Sequence, residues 1–255
     1  MDKQGITFNK RNTPVFKNIY NMKVLIVVSN YNEEKAIYDT IQDLKNNSAI
    51  KADILVIDNF SSDNSIEIIK ELGIDYLIHP VNSGGSAGVI KTAFFYAWYH
   101  NYHYYCHMDG DNQHSAAELT KILNPLIENS ELDIIVGSRF IERQGFQSLF
   151  FRRQGIMMFS KVISLITGNQ FTDITSGFRA YNRKAITFFA KNFKQEIETV
   201  SQLELVAHFA GLKRIDVPVM MKPRLSGKSE INFKNAVKFP VYNLISIIGT
   251  LINRR

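Results

Sequence analysis

The sequence predicts an α/β protein: a doubly wound, mostly parallel sheet with helices on both faces. Three observations predict it. Short continuous apolar runs, too short for buried helices, recur at Val24–Val28, Ile54–Ile57 and Tyr104–Met108. Segments with helical apolar spacing separate them, and a polar loop rich in Asp, Asn, Ser or Gly follows each run. Strands alternating with helices bury both faces of a parallel sheet.

Taken in order, Val24–Val28 is the first strand, followed by a polar turn and a helix over Ala36–Leu44. Ile54–Ile57 is the second strand, Asp58–Asn64 its loop, and Ser65–Leu72 a helix that Gly73 stops. Tyr76–His79 is a third strand. After Asn82–Gly88 a long helix runs to about Tyr99, and Tyr104–Met108 is a strand that ends on Asp109. Ligands of such sheets bind beyond the carboxyl ends of the strands. That rule gathers Ser29–Glu33, Asp58–Asp63 and Asp109–His114 around one crevice.

With 255 residues, 45% of them apolar, the chain can bury the core of one large domain. The net charge of +6 suits anionic partners of several kinds and decides nothing alone. Cys106 is the single cysteine, which excludes an internal disulfide framework and a cysteine-based zinc site and favours a reducing compartment. Met1–Asn21 is polar and mixed in charge, with no signal-peptide pattern. The apolar stretch Phe239–Ile252 is shorter than the roughly 20 residues a spanning helix needs, and Pro240 and Asn243 interrupt it. The expected organisation is an N-terminal extension (1–22), a catalytic domain (23–230) and an amphipathic C-terminal segment (231–255).

The loop Asp109–His114 carries the most chemistry. Two carboxylates one residue apart on a loop leaving a strand offer oxygens to a hard divalent cation, which also bridges the phosphates of a nucleotide. A solvated acidic turn is the plainer reading of the same residues. Context favours the cation. Asn30–Glu34, Asp58–Asp63, Asn82–Gly88, Asp109–His114, Gly137–Arg139, Asp173–Arg179 and Arg224–Ser229 follow one another in the order of the motifs of the family 2 glycosyltransferases. The chain resembles that family over Val24–Ser229, and within it the polyprenyl-phosphate sugar transferases of the dolichyl-phosphate mannose synthase type.

The resemblance implies the GT-A fold and inverting transfer from a nucleotide-sugar donor to a polyprenyl phosphate or a glycan, at a membrane surface and without nucleic acid. It implies that Asn32, Glu33, Asp58, Gly84 and Asp109 hold the donor, and that Asp109, Asp111 and Gln113 hold Mg2+ or Mn2+. Where the family commonly has a second acid after Asp58, this chain has Asn59. Arg139, Ser176, Arg179, Arg224 and Lys228 fall on the positions implied to grip the diphosphate and an anionic acceptor; the planar fork of arginine suits phosphate oxygens. Asp111, Arg139 and Asp173 are the implied catalytic residues.

A phosphate acceptor is already a nucleophile, so positioning and electrostatics dominate. A sugar hydroxyl needs a base, for which Asp173 ranks ahead of Glu196, Glu198 and Glu204. His107, inside an apolar strand, reads as a satisfied core histidine, and His114 as a diphosphate contact. Phe146–Ile166 and Phe233–Ile252 mix apolar residues with Arg and Lys, a pattern suited to a membrane interface, to packing on the sheet or to a second subunit. Three functions follow: transfer to a polyprenyl phosphate, transfer to a growing glycan, and nucleotide binding without catalysis. Intact Asp109, Asp111 and Arg139 argue against the third. The cytoplasmic face of the plasma membrane is the expected location.

Overall fold

The computed structural model describes residues 22–83, 85–146, 150–192, 200–224 and 248–249, with the side chains of 150–152, 200 and 201 left aside. Gly84, Lys228, Glu196, Glu198 and almost all of the two terminal segments lie outside the described residues. Seven strands form one sheet in the order β3-β2-β1-β4-β6-β5-β7. They are β1 (Val24–Asn30), β2 (Asp53–Asp58), β3 (Asp75–Ile78), β4 (Tyr104–Asp109), β5 (Ile134–Ser138), β6 (Arg179–Asn182) and β7 (Arg214–Pro218). All neighbours pair in parallel except β6, which is antiparallel to both β4 and β5.

The continuous apolar strands make sense once both faces are covered. Leu25, Val27, Leu55, Ile57 and Tyr105 pack under α3 (Ser86–Tyr99), α6 (Arg183–Asn192) and α7 (Val200–Phe209). Their alternates Val24, Ile26, Val28, Val56 and Met108 pack under α1 (Ile37–Asn47), α2 (Ser65–Glu71) and α4 (Leu119–Glu128). The period of two along each strand thus divides one apolar run between two cores. A third cluster joins Phe159 and Ile163 of α5 (Phe150–Thr167) to Phe171, Ile174 and Leu205. Among the described residues, no helix is long and apolar enough to cross a membrane.

Register places the site. Asn30 pairs with Asp58, and Ser29 with Asp109, so the loops leaving β1, β2 and β4 start level with one another. β6 runs the other way, and its first residue, Arg179, lies opposite His107 and Val136. The 173–178 segment therefore enters the sheet at the edge where Asp109 leaves it.

Arg179 is buried and pairs with Glu204 of α7, while its Nε and Nη2 donate to the carbonyls of Ser176 (2.6 Å) and Ile174 (3.1 Å). The expectation that Arg179 grips substrate phosphate is corrected, because its donors are spent inside the fold. On the far side of Glu204, Arg214 Nε lies 3.0 Å from Oε2, and Arg214 also pairs with Asp216. Removing one member of a buried ionic network leaves uncompensated charge. Glu204→Ala is expected to lower unfolding free energy by about 3–5 kcal/mol, read from denaturant midpoints, with Glu204→Gln losing less.

His107 is buried on β4 with its pKa pushed down to about 4, first by burial. Its unfolded value is near 6.5, so between those values the unfolded chain binds the extra proton and stability falls as pH falls. In metal-free buffer the parent should therefore lose up to about 3 kcal/mol between pH 6.5 and 4 from this group, and His107→Gln should show a flatter denaturation profile over that window.

Candidate active site

Beyond the carboxyl ends of β1, β2 and β4 lies a cavity of about 260 Å³. Ser29, Asn30, Tyr31 and Glu33 line it from the first loop, and Asn59 from the second. Gly85, Ser86 and Val89 contribute the start of α3, and Asp109, Gly110, Asp111, Gln113 and His114 the acidic loop. Arg139, Thr175–Gly177, Met221 and Arg224 close the remaining side.

The acidic loop is built around Asp109. Ser29 Oγ donates to its Oδ1 (3.1 Å), and its own N–H donates to His114 Nδ1 (3.1 Å). His114 is stacked on Phe178 at 4.8 Å. A Cβ at position 177 would stand 2.7 Å from Asp109 Oδ2, so any side chain there would displace the carboxylate. Asp111 is mostly buried and accepts the N–H of Gln113 (3.1 Å). Burial and the neighbouring Asp109 carboxylate raise its pKa. For Asp109 itself burial pulls upward but is outweighed by His114 and His107, and its pKa is lowered.

Two hard carboxylates, one of them short of positive charge, fit a divalent cation whose other positions are filled by phosphate and water, the usual manner of Mg2+ binding. No cage of three or more His, Cys, Asp or Glu side chains exists among the described residues. Any cation here would thus be held jointly with a ligand. Gln113 stands beside the pair, its Nε2 donating to the carbonyl of Lys222 (3.3 Å).

Across the cavity Arg224 pairs with Glu33 Oε1, and its Nε lies 3.9 Å from Asp111 Oδ2. Burial is the main force pushing Glu33 to about 7; Arg224 opposes it, while Asp111 and Asp109 add to it. Arg139 reaches the wall with its fork already anchored, Nε and Nη2 donating to the two oxygens of Asp173 at 2.7 and 2.9 Å and Nη2 to Thr175 Oγ1 at 3.0 Å. Asp173 has no solvent exposure and a lowered pKa, with Arg139 overcoming the effect of burial. Its expected place as a general base is corrected: the carboxylate orients Arg139 and does not face the cavity.

The structure brings Glu33, Asp109, Asp111, Gln113, Arg139, Ser176 and Arg224 to one cavity. It does not bring Asn32, Asp58, Asp173 or Arg179. Asn32, at φ 53°, accepts the N–H of Ser62 (2.8 Å). Asp58 is fully buried and accepts from Asn30 Nδ2 (2.7 Å), Ser61 N (2.8 Å) and Ser61 Oγ (2.6 Å). Asp63 accepts the N–H of Ser65 (3.0 Å) at the start of α2. His107 is less satisfied than its strand position implies, since its Nε2 has no hydrogen-bond partner.

Asn59, which sequence reasoning noted only as a departure, lines the cavity and organises its wall. Its Oδ1 accepts from Ser83 N (3.0 Å) and Ser83 Oγ (2.7 Å), and its Nδ2 donates to Asn82 Oδ1 (3.2 Å) and the Gly85 carbonyl (3.3 Å). These bonds bring the N-terminus of α3 to the cavity; its first turn carries no acid, so its amide dipoles stay available to an anion. Its place next to Asp58 in the loop after the second strand was the available signal.

Comparison with known proteins places the chain in a family. The profile of glycosyl transferase family 2 matches residues 25–188. Over 207 residues the chain is 30% identical to glycosyltransferase AglJ of Haloferax volcanii, covering 80% of this chain and 64% of AglJ. Over 215 residues it is 25% identical to the UDP-N-acetylglucosamine–dolichyl-phosphate N-acetylglucosaminyltransferase of Methanococcus voltae, covering 77% of this chain and 84% of that one. In structure it is similar to glucosyl-3-phosphoglycerate synthase from Mycobacterium tuberculosis, solved with Mn2+, UDP-glucose and glycerol 3-phosphate. The TM-score is 0.64 at 11% identity, over 96% of this chain and 86% of that one, a likeness of fold. The chain belongs to glycosyl transferase family 2: it is a glycosyltransferase of GT-A fold with prenyl-phosphate sugar transferases among its relatives.

Proposed function

We propose that the chain transfers a sugar, with inversion, from a nucleoside-diphosphate sugar to a polyprenyl phosphate at the cytoplasmic face of a membrane, with residues 23–230 as the catalytic unit. The observation that carries the reading is the convergence of Asp109, Asp111, Arg139, Arg224 and the N-terminus of α3 on one cavity. A nucleoside diphosphate needs that combination: amide dipoles and guanidinium groups for phosphate oxygens, and carboxylates for the cation that accompanies them. Asp109 and Asp111, with Gln113 beside them, would hold Mg2+ or Mn2+, which when bound offsets the charge of the departing diphosphate.

The residues of the chain do the rest. Arg139, fixed by Asp173, presents positive charge without having to be ordered on binding. Arg224, paired with Glu33, is placed to turn towards phosphate when a donor enters. Asp173 and Glu204, the described carboxylates considered as bases, are buried and ion-paired. That favours an acceptor that needs no base, and a phosphate is such an acceptor. The dolichyl-phosphate acceptor in the name of the Methanococcus relative supports the same class.

Glu33 favours a second reading. With a pKa of about 7 in the cavity wall, it is poised to take a proton from a sugar hydroxyl of a glycan acceptor. For membrane contact the support is α5, where Met158 and Leu165 stand exposed beside Lys161. The second amphipathic segment, 233–252, lies almost wholly outside the described residues.

The test is incubation of the protein with a panel of nucleotide sugars, Mg2+ or Mn2+ and undecaprenyl phosphate, with products read by mass spectrometry. A lipid-monophosphate sugar is the expected product; nucleotide release or donor binding without a lipid product would favour the second reading, and absence of donor binding would sink both. Chelation should abolish turnover. Asp111→Ala should lower kcat by roughly a hundredfold or more, the scale on which a transition-state charge contact acts, while the melting temperature changes little.

A further inference from the structure

Tyr105, His107 and Asp109 alternate along β4, so their side chains leave the same face of the sheet and form a file running from the core to the cavity. At the bottom Tyr105 is fully buried, stacked on Tyr181 at 5.3 Å with its edge to Phe94. Its hydroxyl lies 2.5 Å from His107 Nδ1. His107 Nε2 is buried without a hydrogen-bond partner, and it lies 4.0 Å from Asp109 Oδ1. Arg179 sits opposite His107 on β6, and His114 Nε2 lies 4.0 Å from the other oxygen of Asp109.

Proton placement follows from the partners. A neutral imidazole has one N–H and one lone pair. Were the proton on Nδ1, the tyrosine hydroxyl would have to accept it and would leave its own hydrogen unplaced, while the Nε2 lone pair would face a carboxylate. With the proton on Nε2, Tyr105 donates to Nδ1 and the imidazole N–H points at Asp109. The second arrangement satisfies more groups and opposes no like partial charges.

We propose that Tyr105 and His107 are positioning residues for Asp109: the tyrosine hydroxyl sets the imidazole tautomer, and the imidazole Nε2–H orients the carboxylate that faces donor diphosphate and cation. The inference rests on the cation reading of Asp109 given above. Such contacts are often long without substrate and tighten in the loaded site, and partners behind a ligand commonly control affinity by about tenfold or more.

Two measurements test it on the full chain. In metal-free protein labelled with 15N-histidine, the nitrogen shifts of His107 should report a neutral ring protonated at Nε2. By calorimetry with UDP, and GDP in parallel, His107→Met and Tyr105→Phe should each weaken Mn2+-dependent nucleotide binding by roughly tenfold or more, with binding in chelator unchanged. His107→Gln, whose amide again offers an N–H, should restore most of the loss. Protonation at Nδ1, or equal behaviour of the Met and Gln variants, would overturn the inference, and Tyr105→Phe decides it if His107→Met fails to fold. A parent that binds nucleotide but never Mn2+ would instead sink the cation reading, while the tautomer would still be read independently.

Discussion

Arg179 shows how much of the site is held from beneath. A guanidinium without solvent must have every donor directed and its charge balanced, and the carbonyls of Ser176 and Ile174 together with Glu204 do this. The bonds run in both directions. In satisfying Arg179 they pin the 173–178 segment, which sets Gly177 against the carboxylate of Asp109 and Asp173 against Arg139. The antiparallel strand β6, short as it is, therefore fixes the relation between the acidic side of the cavity and its basic side.

That relation concerns charge more than shape. Glu33, Asp109 and Asp111 line one cavity, and the pKa values of Glu33 and Asp111 are raised by burial first and by their carboxylate neighbours after it. Arg224 offsets part of this by pairing with Glu33 and approaching Asp111. On the proposed reading, Asp109 and Asp111 would hold a cation and Arg224 would turn to the phosphates of the donor, so that charges now compensated by Arg224 would each gain a partner.

The first half of the fold was legible because its signals are local. Apolar runs at Val24–Val28, Ile54–Ile57 and Tyr104–Met108 became β1, β2 and β4, and the loops after them met where the strand-end rule places them. The second half was not read as strands. β5, β6 and β7 are four or five residues long, and β6 enters antiparallel between β4 and β5, an order set by tertiary pairing that no periodicity encodes. The site divides in the same way. Asp109, Asp111, Arg139 and Arg224 were identified by motif and do line the cavity, whereas the same motifs could not tell a group that faces ligand from one that holds it. Asp173 and Arg179 share a motif with Ser176, yet only Ser176 reaches the cavity.

Asp58 and Asn59 make this division sharpest, because they are adjacent and the structure exchanges the roles that type alone suggests. The charged residue is spent inward, where Asn30 and both the amide and hydroxyl of Ser61 fill its oxygens and lock the first two loops together. The neutral one faces the cavity while tying Ser83 and Gly85 to the start of α3. A carboxylate is strongest as a hub where amide and hydroxyl donors converge and water is absent. An amide at position 59 supplies a donor as well as an acceptor, which an ionised carboxylate does not, and both are used: Oδ1 takes the N–H and hydroxyl of Ser83 while Nδ2 reaches Asn82 and the Gly85 carbonyl.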